Sequence, residues 1–185
     1  MLTDVLQFFL DTLVQPYAAL LLLRFHLQWL RAPMHNPLGE FAFLLTNPVV
    51  RPARRFIPPI RMLDTASVLL AFLVELAFLC ATLLVHGHGL GTWVLPVWAA
   101  LQLLKISIYL LMGALFLEAL LSWTNPHAPF ADVLGSITRP FLRPLRRLVP
   151  RRGSLDFSFL ILFFLCYFIV SLPLNGLEAL LLRAL

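Results

Sequence analysis

The chain reads as an all-α membrane protein: four transmembrane helices arranged as two tandem helix–basic amphipathic elbow–helix repeats. Three observations carry this. The 185 residues are 61% hydrophobic and 12% charged, where a soluble domain carries about 25% charged residues. With a mean hydropathy of +0.90, no single water-soluble core hides that much apolar surface. Four apolar stretches are long enough to cross a hydrocarbon layer, which takes about 20 helical residues, and a basic motif recurs between them.

The N-terminal run MLTDVLQFFLD has no basic region, carries Asp4 and Asp11, and is followed by no small-residue cleavage site, so it reads as the start of a retained span. That span covers residues 5–30 and is interrupted by Pro16 and Arg24. The second covers 66–85. The third lies within 92–123, longer than one straight crossing needs, so it tilts or lays its first turns around Pro96 in the interface. The fourth covers 157–174, after which Pro173 and Gly176 punctuate a short apolar tail. Cys80 and Cys166 each stand inside an apolar run and read as buried thiols.

Charge placement gives an orientation. Of 14 lysines and arginines, ten fall in two short stretches: Arg51, Arg54, Arg55 and Arg61, then Arg139, Arg143, Arg146, Arg147, Arg151 and Arg152. The loop between spans two and three, HGHGLG, has no charged residue. By the positive-inside rule both basic loops face the cytoplasm, and the termini and middle loop face outward. Apolar spans flank both clusters, so they read as membrane-surface charge, not as a nucleic-acid footprint.

Residues 46–58 read TNPVVRPARRFIP and residues 138–150 read TRPFLRPLRRLVP, with seven identities in thirteen positions at an offset of 92 (Thr46 to Thr138). The offset continues to Asp64 and Asp156. Asn36-Pro37 and Asn125-Pro126 open the two elbows, and Trp29 and Trp123 close the preceding spans. Residues 1–90 and 91–185 therefore read as two copies that enter the membrane in the same direction, related by an axis along its normal.

Together the runs LLLRFHLQW, TNPVVRPARRFIP and DTASVLLAF in the first half, with SWTNP, TRPFLRPLRRLVP and GSLDFS in the second, resemble the YggT/YlmG family over nearly the whole chain. The resemblance implies a small multi-span protein of the bacterial inner membrane, linked to membrane-complex assembly, envelope or division organisation, and tolerance of osmotic stress. It implies no enzymatic activity.

With Pro48 or Pro52 in a first helical turn, where a missing N–H costs little, Arg51, Arg54 and Arg55 share one face and Val49, Val50, Ala53, Phe56 and Ile57 lie away from it. Arg143, Arg146 and Arg147 form the matching face of the second elbow. Such a segment lies in the headgroup plane. Its arginines either pair with anionic lipid, worth about 1 kcal/mol each, or dock a membrane-protein partner or a specific headgroup.

Four ionisable residues interrupt the spans, and charge at that depth is a functional-site hypothesis by default. Arg24 precedes Trp29 by five residues and Glu118 precedes Trp123 by five, so the two are expected to pair across the pseudo-twofold axis. Glu75 and Lys105 flank the middle loop and are expected to pair within their hairpin. Such pairs either fix packing or line an ion or proton path.

His86 and His88 offer two metal ligands where a site needs more. His26 offers one ligand for haem and reads instead as hydrogen-bonded in the bundle, while His35 and His127 read as interface residues. No phosphate-binding loop, dinucleotide fingerprint, zinc-protease or nucleophile-elbow motif occurs. Asp64 and Asp156 read as helix N-caps or first-turn acids. The expectation is a non-enzymatic protein without cofactor or metal that scaffolds or assists assembly of membrane complexes through its elbows. The rival is a small permeation or osmotic-response protein using the intramembrane charges.

Overall fold

The computed structural model describes residues 1–33, 36–58, 63–87, 93–125, 128, 130–148 and 157–183. The helices are α1 (Leu2–Phe9), α2 (Gln15–Trp29), α3 (Pro37–Ala53), α4 (Thr65–Val85), α5 (Val94–Thr124), α6 (Ala131–Leu148), α7 (Phe157–Ile169) and α8 (Asn175–Leu182). Two π-helical turns, Leu10–Val14 and Val170–Leu174, join α1 to α2 and α7 to α8. Four continuous stretches are long and apolar enough to cross a membrane: Thr3–Trp29, Thr65–Val85, Val94–Thr124 and Phe157–Leu182. The elbow helices α3 and α6 connect span one to span two and span three to span four.

Both π turns have a proline beside or within them. A proline lacks the N–H that the carbonyl four residues back requires, and its ring crowds that carbonyl. Widening the helix by one residue relieves the clash without ending the rod. One π turn ends two residues before Pro16 and the other contains Pro173. The expected stop near residue 174 is thereby corrected: the helix continues as α8, and the expected apolar tail belongs to the fourth span. In the third span Pro96 takes a place in the first turn of α5 and the helix runs unbroken for 31 residues. That is about 45 Å of rod against about 30 Å of hydrocarbon.

Span one closes with a Schellman motif. Ala32 N–H reaches Leu27 C=O at 2.9 Å and Arg31 N–H reaches Gln28 C=O at 3.1 Å. Arg31 takes φ +52°, the left-handed position usually given to glycine. Asn36 then caps α3, its Oδ1 accepting Gly39 N–H at 2.9 Å, with Pro37 at the first helical position. The elbows are therefore longer than expected. Pro48 and Pro52 lie inside α3, and Pro140 and Pro144 inside α6, not in first turns. The reason is spacing: prolines four apart share one exposed face, so the carbonyls they leave without helical donors open toward the surface, not the core.

Small side chains let the helices approach closely. Ala18, Ala42, Ala71 and Ala99 are fully buried. Leu21, Leu22, Val50, Ala66, Ala71 and Leu103 pack spans one to three with α3, while Leu27, Ala114, Val133, Leu134 and Ile137 pack α6 against spans one and three. The outward faces of the spans stay apolar, among them Phe8, Leu13, Leu73, Leu104, Phe116, Phe164 and Phe168. Trp29, Trp93 and Trp123 lie exposed at span ends, as in an aromatic belt. Cys166 is buried and Cys80 half-buried, both as free thiols.

Candidate functional site

The densest polar arrangement centres on Arg24, buried to 1% exposure where span one meets the first elbow. Its Nη1 donates to Thr46 Oγ1 and to Asn47 Oδ1, each at 2.9 Å, and its Nε to Asp64 Oδ2 at 3.3 Å. The guanidinium carbon lies 4.4 Å from the Phe43 ring centroid, a cation–π contact. Asp64 also accepts from Arg54 through both oxygens, at 2.7 and 3.3 Å, and from Ser67 Oγ at 2.7 Å. Burial alone raises the Asp64 carboxyl, but hydrogen bonds from Arg54 and Ser67 and the charges of Arg54 and Arg24 outweigh it and hold it below the ordinary carboxylate value. One buried carboxylate thus ties together span one, α3 and the start of span two.

This arrangement corrects three expectations. Arg24 pairs with Asp64 instead of Glu118, because α3 carries Thr46 and Asn47 over the end of span one and Asp64 follows at the next helix start. Glu118 accepts from the Thr138 hydroxyl. Each of the two engages the buried threonine of its own elbow, and they do not engage one another. Asp64 occupies the N-cap position of α4, yet its side chain makes no capping bond and serves the two arginines. Arg54 leaves the expected basic face to do so.

Glu75 and Lys105 also part company. Lys105 pairs with Glu178 of α8, whose Oε1 accepts from Trp98 Nε1 at 3.0 Å and Gln102 Nε2 at 2.8 Å. The π turn is the cause, since by continuing the fourth span it brings Glu178 against α5. Glu178 lies inside an apolar run, and that lone acid was the signal available in sequence. Glu75 is fully buried and accepts from Gln15 Nε2 at 3.3 Å through Oε1. Its Oε2 has no partner among the described residues.

The elbow helices differ in their outer faces. In α3, Gly39, Ala42, Thr46 and Val50 are buried, Phe41, Leu45 and Val49 form an exposed apolar row, and Arg51 and Arg55 are exposed beside it. Phe56, expected on the apolar face, lies past the helix end and is exposed. In α6 the apolar face, with Val133, Leu134, Ile137 and Leu142, is buried, and Arg139, Arg143 and Arg147 form an exposed row at four-residue spacing. No large apolar side chain is exposed among the described residues of α6. Arg146 is half-buried and engaged.

His26 donates from Nδ1 to Leu22 C=O at 2.7 Å and His86 likewise to Thr82 C=O at 2.8 Å. Among the described residues no three potential ligands gather for a metal. His35, Arg61, His88, His127, Arg151, Arg152 and Asp156 lie outside the described residues.

A family model described as CCB3/YggT matches residues 3–84 and 97–177. An uncharacterized protein of Escherichia coli K12 called YggT is 37% identical over 169 residues, covering 90% of this chain and 87% of that protein. An uncharacterized protein of Pseudomonas aeruginosa is 34% identical over 176 residues, covering 93% and 89%. An uncharacterized protein of Haemophilus influenzae is 32% identical over 171 residues, covering 90% of each. No solved structure matches.

Proposed function

The chain belongs to the CCB3/YggT family, and from that premise we propose that it is a non-enzymatic organiser of the bacterial inner membrane. It assists assembly of membrane complexes by docking them on its two arginine-rich elbow helices, on the cytoplasmic side. The observation that carries this reading is the exposed guanidinium row of Arg139, Arg143 and Arg147, with Arg51 and Arg55 on the other elbow. Guanidinium groups recognise carboxylates and phosphates through paired hydrogen bonds. The division of labour follows from the outer faces. Phe41, Leu45 and Val49 seat α3 in the lipid interface. The outer face of α6 is polar and suits a partner's acidic surface. The interior supports the same reading: Arg24 and Lys105 are closed in ion pairs within the bundle, as expected of packing residues.

The test is cross-linking in living cells. A photoreactive amino acid at Arg143 is expected to give a discrete protein adduct. Adducts to lipid alone would contradict docking and leave the elbows as topological anchors.

A further inference from the structure

Between spans one and two a polar seam runs inward from the end of the bundle opposite the elbows. Gln7 Nε2 donates to Asp11 Oδ1 at 2.9 Å and makes a longer 3.5 Å contact with Thr82 Oγ1. Gln15, four residues beyond Asp11, donates to Glu75. Glu75 and Thr82, seven apart, share one face of α4. The π turn Leu10–Val14 lies within this row. Gln7 is half-buried, Asp11 is exposed, Gln15 is half-buried and Glu75 is fully buried, so exposure falls from Asp11 inward. Glu75 is the eleventh residue of the 21-residue α4, which places it about 15 Å from either end of that helix, near mid-membrane. Two buried side-chain oxygens on this seam, Gln7 Oε1 and Glu75 Oε2, have no partner among the described residues.

We propose that Glu75 is a proton-binding site at the centre of the membrane, reached from the end opposite the elbows along Gln7, Asp11 and Gln15. This does not rest on the docking role of the elbows. The charged and titratable groups packed around α4 are otherwise committed. Arg24 and Arg54 are bonded to Asp64, Lys105 to Glu178, and His26 to a backbone carbonyl, while Asp11 is an acid. Tyr17, on α2, contributes a neutral hydroxyl. Among the described residues no cation therefore faces Glu75, and an unpaired carboxylate at that depth is expensive. A metal cation needs several ligands, and among the described residues no three His, Cys, Asp or Glu side chains gather to hold one. A proton needs one. It passes from a hydronium ion at the Asp11 end onto Oε2, giving the carboxylic acid and water, and it returns the same way. The Gln15 amide suits both forms, donating N–H to the carboxylate or turning its oxygen to accept the acid's O–H. Toward the elbows the route is closed by the packed layer of Leu21, Leu22, Ala71 and Leu103 and by the Arg24–Asp64–Arg54 cluster.

Infrared spectroscopy of the full chain in lipid nanodiscs tests this. The expected spectrum holds a protonated-carboxyl C=O band that disappears in Glu75→Gln, moves in Glu75→Asp, and shifts promptly on transfer to deuterated water. In Gln7→Leu, which leaves Gln15 and Glu75 in place, that exchange is expected to slow several-fold. Absence of a band attributable to Glu75 at any pH would overturn the site. A band that fails to exchange, or exchanges equally fast in Gln7→Leu, would overturn the seam as its route.

Discussion

Arg24 and Asp64 stand 40 residues apart in sequence, yet their side chains meet at 3.3 Å with about 1% of each exposed. The contact fastens the end of span one to the start of span two across the first elbow. Removing one member of a buried pair strands the other, at about 3–5 kcal/mol. Asp64→Ala is expected to destabilise the protein by that order in a reversible unfolding assay in detergent. A double-mutant cycle between Arg24→Leu and Asp64→Ala should show coupling of about 0.5–3 kcal/mol. The same cycle between Arg24 and Glu118 should show none, and substantial coupling there would restore a bridge across the two halves.

The same carboxylate gives a pH dependence of defined sign. Its folded value lies below the ordinary 3.8, so its stabilising contribution is present above that value and is lost as the pH falls through the folded one. The stability gap between wild type and Asp64→Asn is expected to hold near neutral pH and to narrow in acid below 3.8. A gap that widened in acid would mean that Asp64 is not held ionised by the arginines.

Lys105 and Glu178 make the corresponding prediction for span four. Glu178→Ala leaves a buried lysine without its carboxylate, and a loss of about 3–5 kcal/mol is expected. Replacing both residues with methionine should recover most of it, since well-packed apolar groups often match a buried ion pair. Thermal denaturation of wild type and the two variants in detergent checks this. Equal melting of wild type and Glu178→Ala would show that α8 does not depend on the pair.

Much of this architecture is legible in the sequence, because bilayer thickness and apolar run length determine the four spans almost alone. The elbows are legible too, through the repeated arginines and prolines. Their extent is not. Interior prolines normally argue for a helix end, and only the exposed four-residue spacing of Pro48 and Pro52 makes them tolerable. Charge partners are least legible. Equivalent positions in two alike halves suggest contact between Arg24 and Glu118, whereas the shared geometry is with each half's own threonine. Glu178 escapes for a related reason: Pro173 and Gly176 look like an end, and the π turn that carries the helix past them leaves no pattern in sequence.

The proposed role requires that the exposed elbow arginines hold a partner. Gentle co-purification from membranes tests it most directly, comparing wild type with a variant in which Arg51, Arg55, Arg143 and Arg147 become glutamine. Arg54 is kept because it serves Asp64. A stoichiometric membrane-protein partner is expected with the wild type and is expected to be lost from the variant, with the variant still inserted and as stable as wild type. The same partner retained by the variant, or a wild type that emerges alone, would contradict docking through the elbows.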